Sequence, residues 1–277
     1  MEQIEKDKEN LILFTKIGAI VLTSLLLLVT SIYFYPQTAA TISSHVGINS
    51  KELPIYCVST DEPKIAISFD AAWGNEDTSK LLEILKKNDV RATFFMTGGW
   101  IEKYPEDVKA IAAAGHDLGN HSENHKQMSQ LSAEQCKEEI LKPHEKVKQL
   151  TGKEMQLFRP PYGDYNDNLI NVCREINYYP IQWDVDSLDW KDYDADTIIK
   201  KVTEHKHLGN GSIILCHNGA KHTAEALDRM IKTLKKKGFT LVPISELIMK
   251  DGYTINHEGR QVSSASGEAP PTETGNN

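Results

Sequence analysis

A chain of 277 residues with a formal charge of −8 lacks the basic excess by which proteins hold nucleic acid. Its 31 basic and 39 acidic residues are interspersed, so no single-sign field is available to draw in a charged polymer. The length suits one catalytic domain with appendages, and a core of that size needs no structural disulfide or metal.

Residues 17–35 (IGAIVLTSLLLLVTSIYFY) form an uncharged, largely apolar run. That is close to the ~20 residues a helix needs to span hydrocarbon. Lys6, Lys8 and Lys16 precede it and the next lysine is Lys51, which predicts a cytoplasmic segment at 1–16 and an extracytoplasmic remainder. A cleaved signal peptide is the rival reading, with Thr38-Ala39-Ala40 as an imperfect cleavage site. The run exceeds a usual signal core, which favours a single-pass membrane anchor. Residues 36–62, with Pro36, Pro54 and a Thr/Ser-rich stretch, read as a linker. Cys57, Cys136, Cys173 and Cys216 show no CxxC spacing and are expected to be small buried apolar residues.

From Lys64 short β-like runs alternate with amphipathic helical patterns. IAISF precedes TSKLLEILKKN; RATFFMT precedes a helix near Glu106–Ala114 and a short strand after Gly115. A long helix is predicted from Ser132, with a weak capping box to Gln135, as far as Leu150. A run before Arg159, a helix near Asn168–Ile176, the strand YYPIQWDV and a helix over Ala195–Glu204 follow. SIILC, TAEALDRMIKTLKKK, FTLVP and SELIMK complete the series. Such alternation predicts an α/β fold with a parallel sheet, closed or nearly closed into a (β/α) barrel over 63–250. Residues 251–277 are rich in Ser, Gly, Glu, Pro and Thr and read as a disordered tail.

Chemically capable residues fall just after the β-like runs. Asp70 follows IAISF, His121 and His125 follow the run after Gly115, and RPPYG from Arg159 follows MQLF. Asp184, Asp186 and Asp189 follow YYPIQW, and His217 follows SIILC. The C-terminal strand ends of a (β/α) barrel carry its active site, so repeated placement at that end argues for an enzyme. HSENH sets two imidazoles at i and i+4, a spacing that on a helical turn puts both on one divalent ion. Asp70 could cap the following helix or serve as a general base toward water. His217 could be a core histidine or a general acid near neutral pH. Arg159 and the three aspartates could form a structural ion-pair cluster or a chain that holds the base. A calcium loop is discounted there, because the mid-loop Gly and terminal Glu are missing.

Residues 64 to about 248 resemble the NodB-homology polysaccharide deacetylases, carbohydrate esterase family 4, through SFDAAWG, HSENH, RPPYG, DSLDW and LCH in that order. The resemblance implies a distorted (β/α) barrel and removal of N-acetyl groups from an amino-sugar polymer. It implies Asp70 as base, His217 as acid, and His121 and His125 as ligands of a divalent metal, zinc or cobalt. Arg159 would steady the base, Asp189 would hold Arg159, and the Tyr162 N–H would meet the oxyanion. Trp190 and Leu215 would wall the acetyl pocket. FDAAWG with WDVDSLDWKD looks most like the sporulation-type enzymes that act on peptidoglycan, a cell-wall substrate that suits a membrane anchor. One position departs from the family pattern: Ala71 stands where a second aspartate supplies the third metal ligand. Asp70, Glu76 or Asp77 would have to replace it. That departure keeps a second class open, a homologue that binds wall glycan without turning it over. An O-acetyl esterase would share the same site.

Overall fold

The computed structural model describes residues 51–264, so the predicted anchor at 17–35 lies outside the described residues. Among the described residues no helix is long and apolar enough to cross a membrane. The chain runs through β1 (Cys57–Val58), β2 (Lys64–Ala71), α1 (Thr78–Lys87), β3 (Thr93–Met96), α2 (Gly98–Lys103), α3 (Pro105–Ala113) and β4 (Asp117–Asn120). It continues with α4 (Ala133–Thr151), β5 (Leu157–Phe158), α5 (Asp167–Glu175), β6 (Tyr179–Pro180), β7 (Val185–Asp186) and α6 (Ala195–Thr203). β8 (Ile213–His217), α7 (Thr223–Lys236), β9 (Thr240–Leu241), α8 (Ile244–Leu247), β10 (Tyr253–Ile255) and β11 (Arg260–Ser263) follow.

The main sheet has the order β6-β5-β4-β3-β2-β8-β7, with β9 also on β2, and its pairings are parallel. β2 is central and buried along seven of its eight residues, because both faces are covered. Its side chains alternate. Ile65, Ile67, Phe69 and Ala71 join Leu81, Leu85 and Trp100 in one core cluster, whereas Ala66 joins Phe95, Leu157 and Ile213 in another. Asp70 therefore sits on the opposite side of the strand from Ala71. The predicted capping box of α4 is present, with Gln135 N–H donating to Ser132 Oγ and Ser132 N–H donating to the Gln135 side chain.

Two expectations are corrected. YYPIQWDV is not one strand: β6 and β7 lie at opposite edges of the sheet. Seven strands laid flat would separate those edges by roughly 29 Å. The 181–184 segment that joins them can reach only about 18 Å, so the sheet must curl to bring its edges within that distance. The ordered domain also exceeds 63–250. β1, from the predicted linker, and β10 and β11, from the predicted tail, form a second sheet of order β1-β11-β10. Ile55 bridges to Ile181 and ties that sheet to the barrel edge. The four cysteines are free and buried, as the sequence implied.

Candidate active site

A cleft of about 400 Å³ opens at the C-terminal strand ends and is lined by Asp70, His121, His125, Tyr162, Leu215 and His217, with Trp73, Gly163, Trp183, Asp186 and Trp190 at its margins. Those strand ends are where the sequence placed the chemistry.

Asp70 pairs in register with His217 on β8, which places the two groups side by side. Asp70 Oδ1 accepts from Arg159 Nη1 at 2.8 Å, and both side chains are buried. The Arg159 guanidinium lies over the Phe95 ring at 4.2 Å and donates from Nη2 to the Gln182 carbonyl at 3.2 Å. Burial alone would raise the Asp70 pKa, but Arg159, together with His121 and His217, holds it below the ordinary carboxylate value. Asp70 is thus an anionic proton acceptor.

His121 Nδ1 is 2.7 Å from the Arg159 carbonyl, which can only accept, so Nδ1 carries the proton and Nε2 keeps its lone pair. Burial lowers the His121 pKa, and burial with the neighbouring His121 lowers that of His125 to about 4. Both rings are therefore neutral donors near neutral pH. Their centroids are 4.9 Å apart.

HSENH is not a helical turn, which corrects the sequence reading. Ser122 and His125 have φ of 67° and 53°. Ser122 N–H donates to Asn120 Oδ1, and His125 N–H donates to Ser122 Oγ. Asn124 gives both its backbone and side-chain N–H groups to Glu139 on α4. A loop folded on its own side chains brings the imidazoles together, with the same outcome as a helix.

Asp189 is the second correction. It does not hold Arg159. Its Oδ1 takes His217 Nδ1 at 2.7 Å, while Oδ2 takes His217 N–H at 2.8 Å and Thr223 Oγ1–H at 2.6 Å. Burial lowers the His217 pKa, but the Asp189 carboxylate outweighs it and the net shift is upward. The Asp189 carboxylate thus favours the protonated form of His217, next to an Asp70 that Arg159 favours in its ionised form. The two other aspartates of that group separate in role. Asp184 binds Ile213 N–H and Ser212 Oγ–H, and burial pushes its pKa up to about 6. Asp186 accepts from Leu188 N–H and reaches the cleft.

Tyr162 sits at φ 60° with an exposed side chain, in a left-handed position that non-glycine residues occupy at a cost of about 1–3 kcal/mol. Trp190 and Leu215 line the cleft. Trp73 and Trp183 also reach it, and sequence reasoning passed over both. Trp73 lay in the quoted SFDAAWG, and an indole beside strand-end chemistry was the available signal.

The donor set suits a divalent ion only in part. His121 Nε2 faces Asp70 Oδ2 at 3.6 Å, too long for a hydrogen bond. Ala71 is fully buried in the core. Asp77 Oδ1 accepts from Gly219 N–H while its Oδ2 is buried without a partner, Glu76 lies against Gly74, and neither is grouped with the histidines. Among the described residues no group of three or more His, Cys, Asp or Glu comes together to hold a metal ion. His121 and His125 fit as a neutral imidazole pair, with Asp70 the nearest carboxylate.

Residues 58–181 match the family described as polysaccharide deacetylase. A Bacillus cereus peptidoglycan-N-acetylglucosamine deacetylase is 36% identical over 194 residues, 68% of this chain and 69% of that protein. The uncharacterised Bacillus subtilis protein YlxY is 36% identical over 195 residues, 70% of this chain but 60% of its own length. A solved Bacillus anthracis protein, described as a pseudoenzyme of carbohydrate esterase family 4, superposes with a TM-score of 0.68 at 34% identity, covering 71% of this chain and 69% of that one. A mutant of it is described as having restored enzymatic activity.

Proposed function

The chain belongs to the polysaccharide deacetylase family of hydrolases, carbohydrate esterase family 4, and from that premise we propose that it removes N-acetyl groups from peptidoglycan with the aid of a divalent metal. The observation that carries this reading is a pair of adjacent groups on neighbouring strands with opposite partners, Asp70 bonded to Arg159 and His217 bonded to Asp189, which favours an ionised Asp70 beside a protonated His217. A glycan-binding site has no chemical need for a matched base and acid.

His121 and His125 would hold the ion, which supplies Lewis-acid polarisation of the acetyl carbonyl. Asp70 removes a proton from water as its oxygen attacks the carbonyl carbon. The Tyr162 N–H donates to the oxygen on which charge develops, a contact worth about 3–4 kcal/mol in comparable sites. Proton transfer from His217 to the amide nitrogen lets the C–N bond break, giving acetate and a free amine. Leu215 and Trp190 enclose the methyl group.

The sequence supports a wall-facing location through the apolar run at 17–35, and its FDAAWG and WDVDSLDWKD motifs support a sporulation-type role. A second reading, glycan binding without turnover, draws on buried Ala71 and on the pseudoenzyme relative. Acetate release separates the two. N-acetylglucosamine oligomers and purified peptidoglycan glycan are incubated with zinc, with cobalt and with chelator. Release that requires metal supports hydrolysis. No release from any N-acetylated substrate, with bound metal confirmed, leaves the binding reading. His125→Ala should abolish metal uptake in equilibrium dialysis.

A further inference from the structure

Four large hydrophobic side chains are exposed among the described residues, and three of them, Trp73, Tyr162 and Trp190, line the same cleft. Exposed apolar surface gathered in one place, rather than scattered, marks a recognition surface. Tyr162 and Trp190 belong to segments already given roles in the chemistry. Trp73, three residues beyond Asp70, has no role in it, yet it is 64% exposed.

Its position is fixed by its surroundings. The Trp73 ring meets the His125 ring edge-on at 5.4 Å, and Tyr162 meets His125 at 4.5 Å, so the three rings form a continuous aromatic rim. The backbone just beyond Trp73 is clamped. Gly74 C=O accepts from Trp100 Nε1 at 3.1 Å and from Asn218 Nδ2 at 3.0 Å. Asp77 Oδ1 ties the same loop to Gly219. An indole held in place while still in water loses little further freedom when a ligand covers it.

We propose that Trp73 is a specificity-determining residue that stacks on the face of a pyranose ring neighbouring the sugar that is deacetylated. This rests on the deacetylase reading for the identity of that sugar, not for the existence of the subsite. Three features set the ligand's chemistry. An exposed indole face is electron-rich and pairs with the weakly positive axial C–H groups of a sugar ring. Asp70 and Asp186 line the cleft and no Lys or Arg does, so its lining does not select for a polyanionic ligand. The rim borders His125 directly, so a polymer whose acetyl group reaches the histidines has an adjoining ring within reach of Trp73. The subsite therefore takes a neutral, N-acetylated amino-sugar chain and discriminates by chain length.

The test is calorimetric titration with the β-1,4-linked N-acetylglucosamine tetramer and with the monomer, in chelator to prevent turnover. It compares the unmodified protein, Trp73→Ala and Trp73→Phe. Trp73→Ala should bind the tetramer about tenfold or more weakly, bringing it near the monomer, while Trp73→Phe should stay within about threefold of the parent. Tetramer affinity unchanged in Trp73→Ala, or equally poor in Trp73→Phe, would overturn the stacking role. A measurement that does not depend on the folding of Trp73→Ala uses Trp190→Phe. There, Trp73 is the remaining highly exposed indole, since Trp100 is buried and Trp183 half-buried. At tetramer concentrations that calorimetry shows to saturate this variant, Trp73 should be protected from acrylamide quenching, and absence of protection would count against the proposal. Acetate release is scored separately. Binding that depends on Trp73 without any acetate sinks hydrolysis and keeps the subsite, whereas acetate release with Trp73-independent binding sinks the subsite alone.

Discussion

Arg159 is the charged side chain on which the state of Asp70 depends. It has no exposed surface and its counter-charge is Asp70. Removing one partner of a buried pair strands the other, at about 3–5 kcal/mol. Arg159→Met should therefore lower unfolding stability by about that amount in urea titration. It should also move the acid limb of the activity profile to higher pH, because the Asp70 carboxyl loses the cation that depresses its pKa. An unmoved acid limb would mean that Asp70 is not the base. In the proposed mechanism the opposite limb belongs to His217. Its pKa is raised above 6.5, so the proton-donating form persists above neutral imidazole titration and disappears as pH rises through the raised value. Asp189→Asn removes the carboxylate responsible, so the alkaline limb should shift to lower pH while kcat falls. A profile with an unchanged alkaline limb would remove His217 from the acid role. Which partner Asp189 chooses was not legible in the sequence. Arg159 and His217 are both basic and both at strand ends, and the pairing of β7 with β8, which runs the segment leading to Asp189 alongside the one ending at His217, decides between them.

At the level of elements, the histidine pair depends on a helix that contributes no atom to the cleft. Glu139 on α4 accepts both Asn124 donors, and Lys126 pairs with the same carboxylate at 2.9 Å. Those contacts fix the 121–125 loop. Supporting shells of this kind are worth about 10–100-fold in metal affinity. Glu139→Ala should lower zinc affinity by that order in competition with a chromophoric chelator, with the far-ultraviolet circular dichroism unchanged, since α4 keeps its capping box and its C-terminal Gly152 at φ 70°. Equal affinity would show that the loop needs no such support. The strands and helices themselves were legible because β2 and α4 carry strong periodicity. The loop was not. An i, i+4 spacing is shared by helices and by turns built on Ser and Asn side chains, and the positive φ at Ser122 and His125 leaves no sign in residue type.

For the whole molecule, the difficulty in reading the sequence lay at the barrel's seam. YYPIQWDV looks like one buried strand, but its centre crosses from one sheet edge to the other, and periodicity cannot distinguish a seam crossing from a continuous strand. Composition likewise hid the second sheet. The residues after Asp251 are polar, and their pairing with β1 rests on backbone hydrogen bonds and on one buried side chain, Gln261. Gln261 Oε1 accepts from Met249 N–H, and its Nε2 donates to Met249 C=O, both at 2.7 Å. The tail is thereby stapled to the segment just after α8, which packs against the inner core cluster through Ile248 and Met249. Gln261→Ala would leave both Met249 backbone groups without their partner, a penalty of about 1–3 kcal/mol. For a domain of this size, that corresponds to a fall in Tm of roughly 2–10 °C. The candidate cleft lies at the other ends of the strands, so kcat should hold at temperatures below the new transition. Thermal melts paired with acetate release at low temperature check both halves. An unchanged Tm would return the segment after Asp251 to the status of a dispensable tail, and a loss of kcat without a change in Tm would show that the second sheet acts on the cleft rather than on the fold.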